Sequence, residues 1–167
     1  MSTKQVILGV DPGTIHAGFG IMQVTGGQVV LHDCGVLSMS SKFPLTRRVR
    51  MFHDFFHEKI VQHHVAVMAL ETPFLGKNPQ NFLKLGYMRG ILYLLNDIHG
   101  IVLREFSPSE VKKSVTGYGG ADKEQVARLM MRLFPALRIP ERYDMTDAVA
   151  VTLCAAWSSI RSPIIMR

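Results

Sequence analysis

The spacing between β-type apolar runs sets the topology open to this chain. Runs at residues 6–10, 18–24 and 29–37 follow one another across turn-length gaps, whereas those at 65–70 and 101–106 each follow a stretch of helix length. A turn-length gap joins antiparallel neighbours; a parallel neighbour needs a crossover of a dozen residues or more. The order therefore predicts an antiparallel meander of three strands followed by right-handed β-α-β crossovers. That is an α/β fold: a five-stranded mixed sheet with helices on both faces, in one domain over residues 1–167.

Local chemistry marks the boundaries. Asp11, Pro12, Gly13 and Thr14 stop the first run with turn residues, and Gly26 with Gly27 makes a hairpin turn between the second and third. Leu45, Val49, Phe52, Phe56 and Ile60 recur at helical spacing, predicting a helix over 44–63 with Arg47, Arg48 and Arg50 on its outer, solvated face. From 81 to 98 apolar residues occur almost all the way round a helical wheel, so this helix is expected to face both the core and a second subunit, with Gly86 and Gly90 permitting close approach. Ser107 and Pro108 open a short helix to about 115. A glycine-rich loop spans 116–120, Asp122 caps a helix carrying Val126, Leu129, Met130 and Leu133, and Asp144 is placed to cap a last helix running through Trp157.

Composition removes several function classes. With 47% hydrophobic and 19% charged residues, the chain can bury a core and is not disordered. No apolar stretch approaches a membrane span, and the first run is too short for a signal-peptide core, so a soluble intracellular protein is expected. Cys34 and Cys154 read as two free thiols. Nineteen Lys and Arg against 13 Asp and Glu give a net charge of +6, which points to an anionic partner, most commonly nucleic acid.

Four acids stand at element ends: Asp11 and Glu71 closing strands, Asp144 and Asp147 opening the last helix. Singly, each has an ordinary explanation as a turn starter, strand end or cap. Jointly they gather at one edge, because parallel neighbouring strands share a C-terminal edge and acids three apart share a helix face. Carboxylates crowded there repel one another unless hard cations neutralise them. Such a site suits Mg²⁺ or Mn²⁺, and two such ions about 4 Å apart are suited to phosphodiester hydrolysis.

The segments ILGVDPGT (7–14), LETPFLGKN (70–78), KLGYMRG (84–90), VKKSVTGYGGADKEQ (111–125) and DMTDAVA (144–150) resemble, in order and spacing, the successive motifs of the bacterial RuvC family of Holliday-junction resolvases. The resemblance implies a ribonuclease H-like fold, a cytoplasmic, nucleoid-associated homodimer, four-way junction DNA as substrate, and motor partners of RuvA and RuvB type. It implies two Mg²⁺ per subunit, replaceable by Mn²⁺, on Asp11, Glu71, Asp144 and Asp147. Lys112 and Lys123 match lysines implicated in DNA binding and catalysis, Phe74 matches a base-contacting aromatic, and Lys77, Lys84, Arg89 and Lys113 are expected on the DNA. Met145 and Thr146 stand between the last two acids, where the family usually has alanines.

Other readings are open at this level. The same fold could cut RNA or RNA–DNA hybrids, or bind junctions without cutting them. An actin-like phosphotransferase needs two such domains, which 167 residues do not supply. His53 and His57, four apart, lack the acid partner of a helical zinc motif and read as structural; His16, beside the Asp11 turn, reads as a surface residue.

Overall fold

The computed structural model describes residues 4–73, 79–135, 137 and 143–161. Five strands form one sheet: β1 (Gln5–Asp11), β2 (His16–Thr25), β3 (Gln28–Ser38), β4 (Val67–Glu71) and β5 (Val102–Phe106), in the order β3-β2-β1-β4-β5. β1, β2 and β3 pair antiparallel, and β4 pairs parallel with both β1 and β5. Gly26 and Gly27 form the two-residue hairpin at φ 59° and 83°, the positive values a tight turn between right-twisted strands requires.

Helices cover both faces. α1 (Leu45–His63) and α2 (Pro79–His99) lie on one, where Phe52, Phe56, Met88, Leu92 and Leu95 pack on Leu8, Val10, Met68 and Leu70. α3 (Pro108–Thr116), α4 (Lys123–Leu133) and α5 (Asp144–Arg161) cover the other, packing on Ile7, Met22, Val67 and Ala69. Successive strand residues point to opposite faces, and this alternation assigns a face to the acids at the strand ends. In β1, residues 7 and 9 face α5, so residue 11 does too; in β4, residues 67 and 69 do, and so does residue 71. The β1–β4 register pairs Val10 with Leu70, which puts Asp11 and Glu71 one step further on, side by side at the sheet edge.

α5 reaches this edge because glycines clear its path. A Cβ at Gly9 would lie 2.1 Å from the Thr152 hydroxyl, and one at Gly18, the β2 partner of Asp11, would lie 1.8 Å from the Asp144 carbonyl oxygen. The helix backbone thus rests directly on the sheet. α5 is also the most deeply buried helix, with Ala148 through Ala156 all buried.

Two details depart from the sequence reading. Asp144 is not the cap of α5 but already its first helical residue, and the Tyr143 carbonyl accepts from the Asp147 amide at 2.8 Å and the Thr146 hydroxyl at 2.9 Å. The helix also runs four residues past Trp157, to Arg161. Cys154 is buried and Cys34 half-buried, both as free thiols.

Candidate active site

The sheet edge and the first turn of α5 bring the four acids together. Asp11 is the most perturbed: its carboxyl is pushed up to about 7, chiefly by burial and then by repulsion from Asp147, Asp144 and Glu71, with Lys123 opposing. Burial and the nearby Asp147 also raise Glu71, against the pull of Lys123 and Lys112. Asp147 is raised by burial despite the Lys123 ammonium, which donates to its Oδ2 at 3.0 Å. Burial alone would lower Lys123, but attraction from Asp147, Asp11 and Glu71 prevails and raises it. The N-terminal end of the α5 dipole adds a fixed positive field at Asp144 and Asp147. Even so, four acids face two lysines, and negative charge is in excess at this edge.

Lys123 is delivered by a well-defined helix start. Asp122 caps α4 by accepting from the Gln125 amide at 2.8 Å, and the Gln125 side chain accepts from the Asp122 amide at 2.9 Å. Lys112 approaches from α3, itself opened by a reciprocal capping box of Ser107 with Glu110 and by Pro108 at its first position. Between these helices, Glu71, Lys112, Lys123 and Asp147 rim a recess of about 490 Å³ with an apolar wall of Pro108, Val111, Val126 and Ala150. On the other side of the acids, a second recess of about 410 Å³ is lined by Thr14, His16, Asn81, Lys84 and Asp144, among others.

Most of the sequence-predicted residues fall on this edge. Asp11, Glu71, Asp144, Asp147, Lys112 and Lys123 form the cluster, Lys84 lines the second recess, and Lys113 is exposed on α3. Phe74 and Lys77 lie outside the described residues. His16 Nδ1 is 3.1 Å from the Ser38 hydroxyl, at the rim. His53 and His57 sit on α1, where His57 Nδ1 is 3.0 Å from His99 Nε2.

Arg89 overturns its expectation. It is only 6% exposed, pairs with Glu105, and donates to the Glu71 carbonyl at 2.6 Å and the Tyr93 hydroxyl at 3.0 Å. The guanidinium is committed inside the fold, against β4 and β5, rather than held out at the surface. The sequence carries a signal for this placement, since Arg89 stands three residues before Leu92, on the stripe that α2 buries. Arg48, expected on a solvated face, also turns inward, donating to the carbonyls of Thr14 at 2.8 Å and Phe43 at 3.2 Å. It thereby ties α1 to the turn after Asp11. Arg47 lies over the Phe43 ring and Arg50 pairs with Asp54 at the surface, as a solvated face would.

Among the described residues, no three acid, cysteine or imidazole groups converge on a common point at coordinating distance. The donor chemistry nonetheless fits a hard cation: a set of carboxylate oxygens, with one carboxyl held at about 7 by burial and by its own neighbours, is the imbalance a divalent ion relieves.

Comparison with known proteins agrees with this architecture. The family model described as crossover junction endodeoxyribonuclease RuvC matches residues 7–155. The crossover junction endodeoxyribonuclease RuvC of Roseiflexus sp. is 39% identical over 163 residues, covering 96% of this chain and 94% of the relative. That of Prosthecochloris aestuarii is 39% identical over 150 residues, covering 89% and 80%. Among solved structures, T. thermophilus RuvC in complex with a Holliday junction substrate superposes with a TM-score of 0.84 at 26% identity, covering 95% of this chain and 97% of that one.

Proposed function

Since this chain belongs to the RuvC family of crossover junction endodeoxyribonucleases, we propose that it resolves four-way DNA junctions by paired phosphodiester hydrolysis at the edge formed by Asp11, Glu71, Asp144 and Asp147. The observation that carries the reading is geometric: the β1–β4 register sets Asp11 and Glu71 side by side at the sheet edge, beside the first turn of α5 with Asp144 and Asp147, and burial with repulsion from these acids raises Asp11. A cluster so costly without cations is the expected cradle for two Mg²⁺ per subunit, with Mn²⁺ able to substitute. When bound, these ions supply an activated water and counter-charge for the leaving 3′ oxygen.

The chain's own residues supply the rest. Asp11 and Glu71, on adjacent strands, fix one side of the cradle, and Asp144 and Asp147 fix the other from the first turn of α5. Lys123, hydrogen-bonded to Asp147, places an ammonium at the edge where it would offset charge on the scissile phosphate, and Lys112 adds a second positive charge beside Glu71. Lys84 and Lys113 neutralise flanking phosphates without reading sequence. Phe74 and Lys77 are proposed as further DNA contacts on the strength of the motif alone. The products carry 5′-phosphate and 3′-hydroxyl ends.

Paired cutting calls for two equivalent sites, and α2 offers the surface for a two-fold dimer. Leu83, Tyr87, Tyr93, Leu94 and Ile98 are 57%, 45%, 41%, 49% and 58% exposed, and space is open above both Gly86 and Gly90. Leu83 with Tyr87 and Leu94 with Ile98 are four apart, and Tyr87 and Leu94 are seven apart, so these four share one exposed face of α2. No helix among the described residues is long and apolar enough to cross a membrane. Motor proteins of RuvA and RuvB type are the expected source of mobile junctions.

The test is Asp11→Asn with a synthetic four-way junction and Mg²⁺. Cleavage should vanish while junction binding persists; retained cleavage would overturn the assignment. Parallel reactions on duplex DNA and on an RNA–DNA hybrid separate junction resolution from ribonuclease H-type activity.

A further inference from the structure

We propose that Arg89 is a positioning residue for Glu71, through which α2 holds one wall of the metal cradle in place. The proposal rests on the junction-resolvase reading, and it concerns how Glu71 is aimed rather than what Glu71 does.

The peptide unit after Glu71 is gripped at both ends. Its N–H, that of Thr72, donates to the Phe106 carbonyl of β5 at 2.8 Å, and its carbonyl, that of Glu71, accepts from Arg89 Nη1 at 2.6 Å. Here β4 is held on one side only: the β1–β4 pairing ends at Leu70 while Glu71 still pairs with Phe106 of β5, and Pro73, two residues on, has no N–H to offer a ladder. A strand end paired on one side only can swing about the backbone dihedrals of its last residue. The arginine bond fixes the second end of the peptide plane and with it the direction in which the Glu71 side chain departs.

The anchor is itself held fast. Arg89 pairs with the Glu105 carboxylate of β5 and bonds the Tyr93 hydroxyl one helical turn away, and Tyr93 in turn donates to Glu105 at 2.9 Å. One guanidinium therefore joins α2, β4 and β5 with three partners, a role that exploits its planar fork of donors. A lysine has a single ammonium on a flexible stem, which lacks the fork geometry needed to satisfy Glu105 and the Glu71 carbonyl together. Metal and phosphate geometries tolerate little drift, so a shift of Glu71 on the order of 1 Å is enough to impair the cradle.

The experiment compares the parent with Arg89→Lys and Arg89→Gln, each scaled to its folded fraction by circular dichroism. Calorimetric titration with Mn²⁺ reports the cradle directly, and single-turnover junction cleavage across Mg²⁺ concentrations separates kcat from the metal requirement. The expected result is metal affinity weakened several-fold and kcat lowered about tenfold in Arg89→Lys, larger losses in Arg89→Gln, and unchanged metal-free junction binding in both. Should Arg89→Gln fail to fold, Arg89→Lys alone decides. Parent-like Mn²⁺ affinity and Mg²⁺ dependence in Arg89→Lys would overturn the positioning role, as would a loss confined to thermal stability. A parent protein that binds no Mn²⁺ and cuts no junction would instead overturn the functional reading itself.

Discussion

Replacing Asp11 by Asn should make the metal-free protein more stable while removing its activity. In the folded protein the Asp11 carboxyl is raised from 3.8 to about 7 by burial and by repulsion from Asp147, Asp144 and Glu71. A raised carboxylate means that the folded state holds its proton more tightly than the unfolded state does. Stability from this group is therefore complete at low pH and is lost as pH climbs from about 4 through about 7. At pH 8.5 the loss amounts to about 4 kcal/mol, at 1.36 kcal/mol per pH unit of difference; at pH 4.5 it is only about 1 kcal/mol. Asn keeps the shape and carries no charge, so it avoids the loss. For a chain of this length, about 4 kcal/mol corresponds to roughly ten degrees in Tm.

The assay is thermal melting in chelator at both pH values, with and without added Mg²⁺. Asp11→Asn should melt well above the parent at pH 8.5 and close to it at pH 4.5. Mg²⁺ should raise the parent at pH 8.5 by mass action and leave the variant nearly unmoved. An Asn variant that is equally or less stable than the parent at pH 8.5 without metal would refute the claim that the cluster is electrostatically loaded.

The same structure sets three other outcomes. Gly18→Ala puts a methyl group 1.8 Å from the Asp144 carbonyl oxygen, so it should lower stability by about 2 kcal/mol or more and displace α5, seen as a reduced denaturant midpoint together with weakened Mn²⁺ binding. Lys123→Met should cut kcat about 10- to 100-fold with little change in junction affinity, and Asp147, relieved of its ammonium partner, should titrate higher still in metal-free protein by carboxylate-resolved NMR. Leu94→Glu with Ile98→Glu places charge on the exposed stripe of α2 and should leave a folded monomer by sedimentation, one that nicks junctions without pairing its cuts; a variant still dimeric would move the interface elsewhere.

How far each feature is legible in the sequence depends on the range of the physics behind it. Gap lengths distinguish antiparallel from parallel neighbours, so strand direction needs no tertiary information, whereas the docking of β4 beside β1 rather than β3 is decided only when the crossover packs. Strand parity is equally local, and it is enough to place Asp11 and Glu71 on the face of α5. The Gly26–Gly27 hairpin and the Asp122 cap are written in single residues. The arginines mislead for a different reason. Charge is a good guide to exposure only where nothing inside can satisfy it, and Glu105 and the Glu71 carbonyl, far from Arg89 in sequence, come within its reach only once α2 docks on the sheet. Likewise, Arg48 finds the Thr14 carbonyl 34 residues away. The start of α5 shifts by one residue because Asp is a strong cap signal, whereas here Asp144 lies inside the first turn with Asp147, among the acids that raise Asp11.

If one acid-lined edge, duplicated by a two-fold dimer, makes paired cuts, then purified protein and Mg²⁺ incubated with a mobile four-way junction labelled separately on each strand should nick it at symmetry-related positions in two opposed strands. Each nick should leave a 5′-phosphate and a 3′-hydroxyl, with none in chelator. Absence of nicking with Mg²⁺, or equal cutting of plain duplex or RNA–DNA hybrid, would contradict that reading.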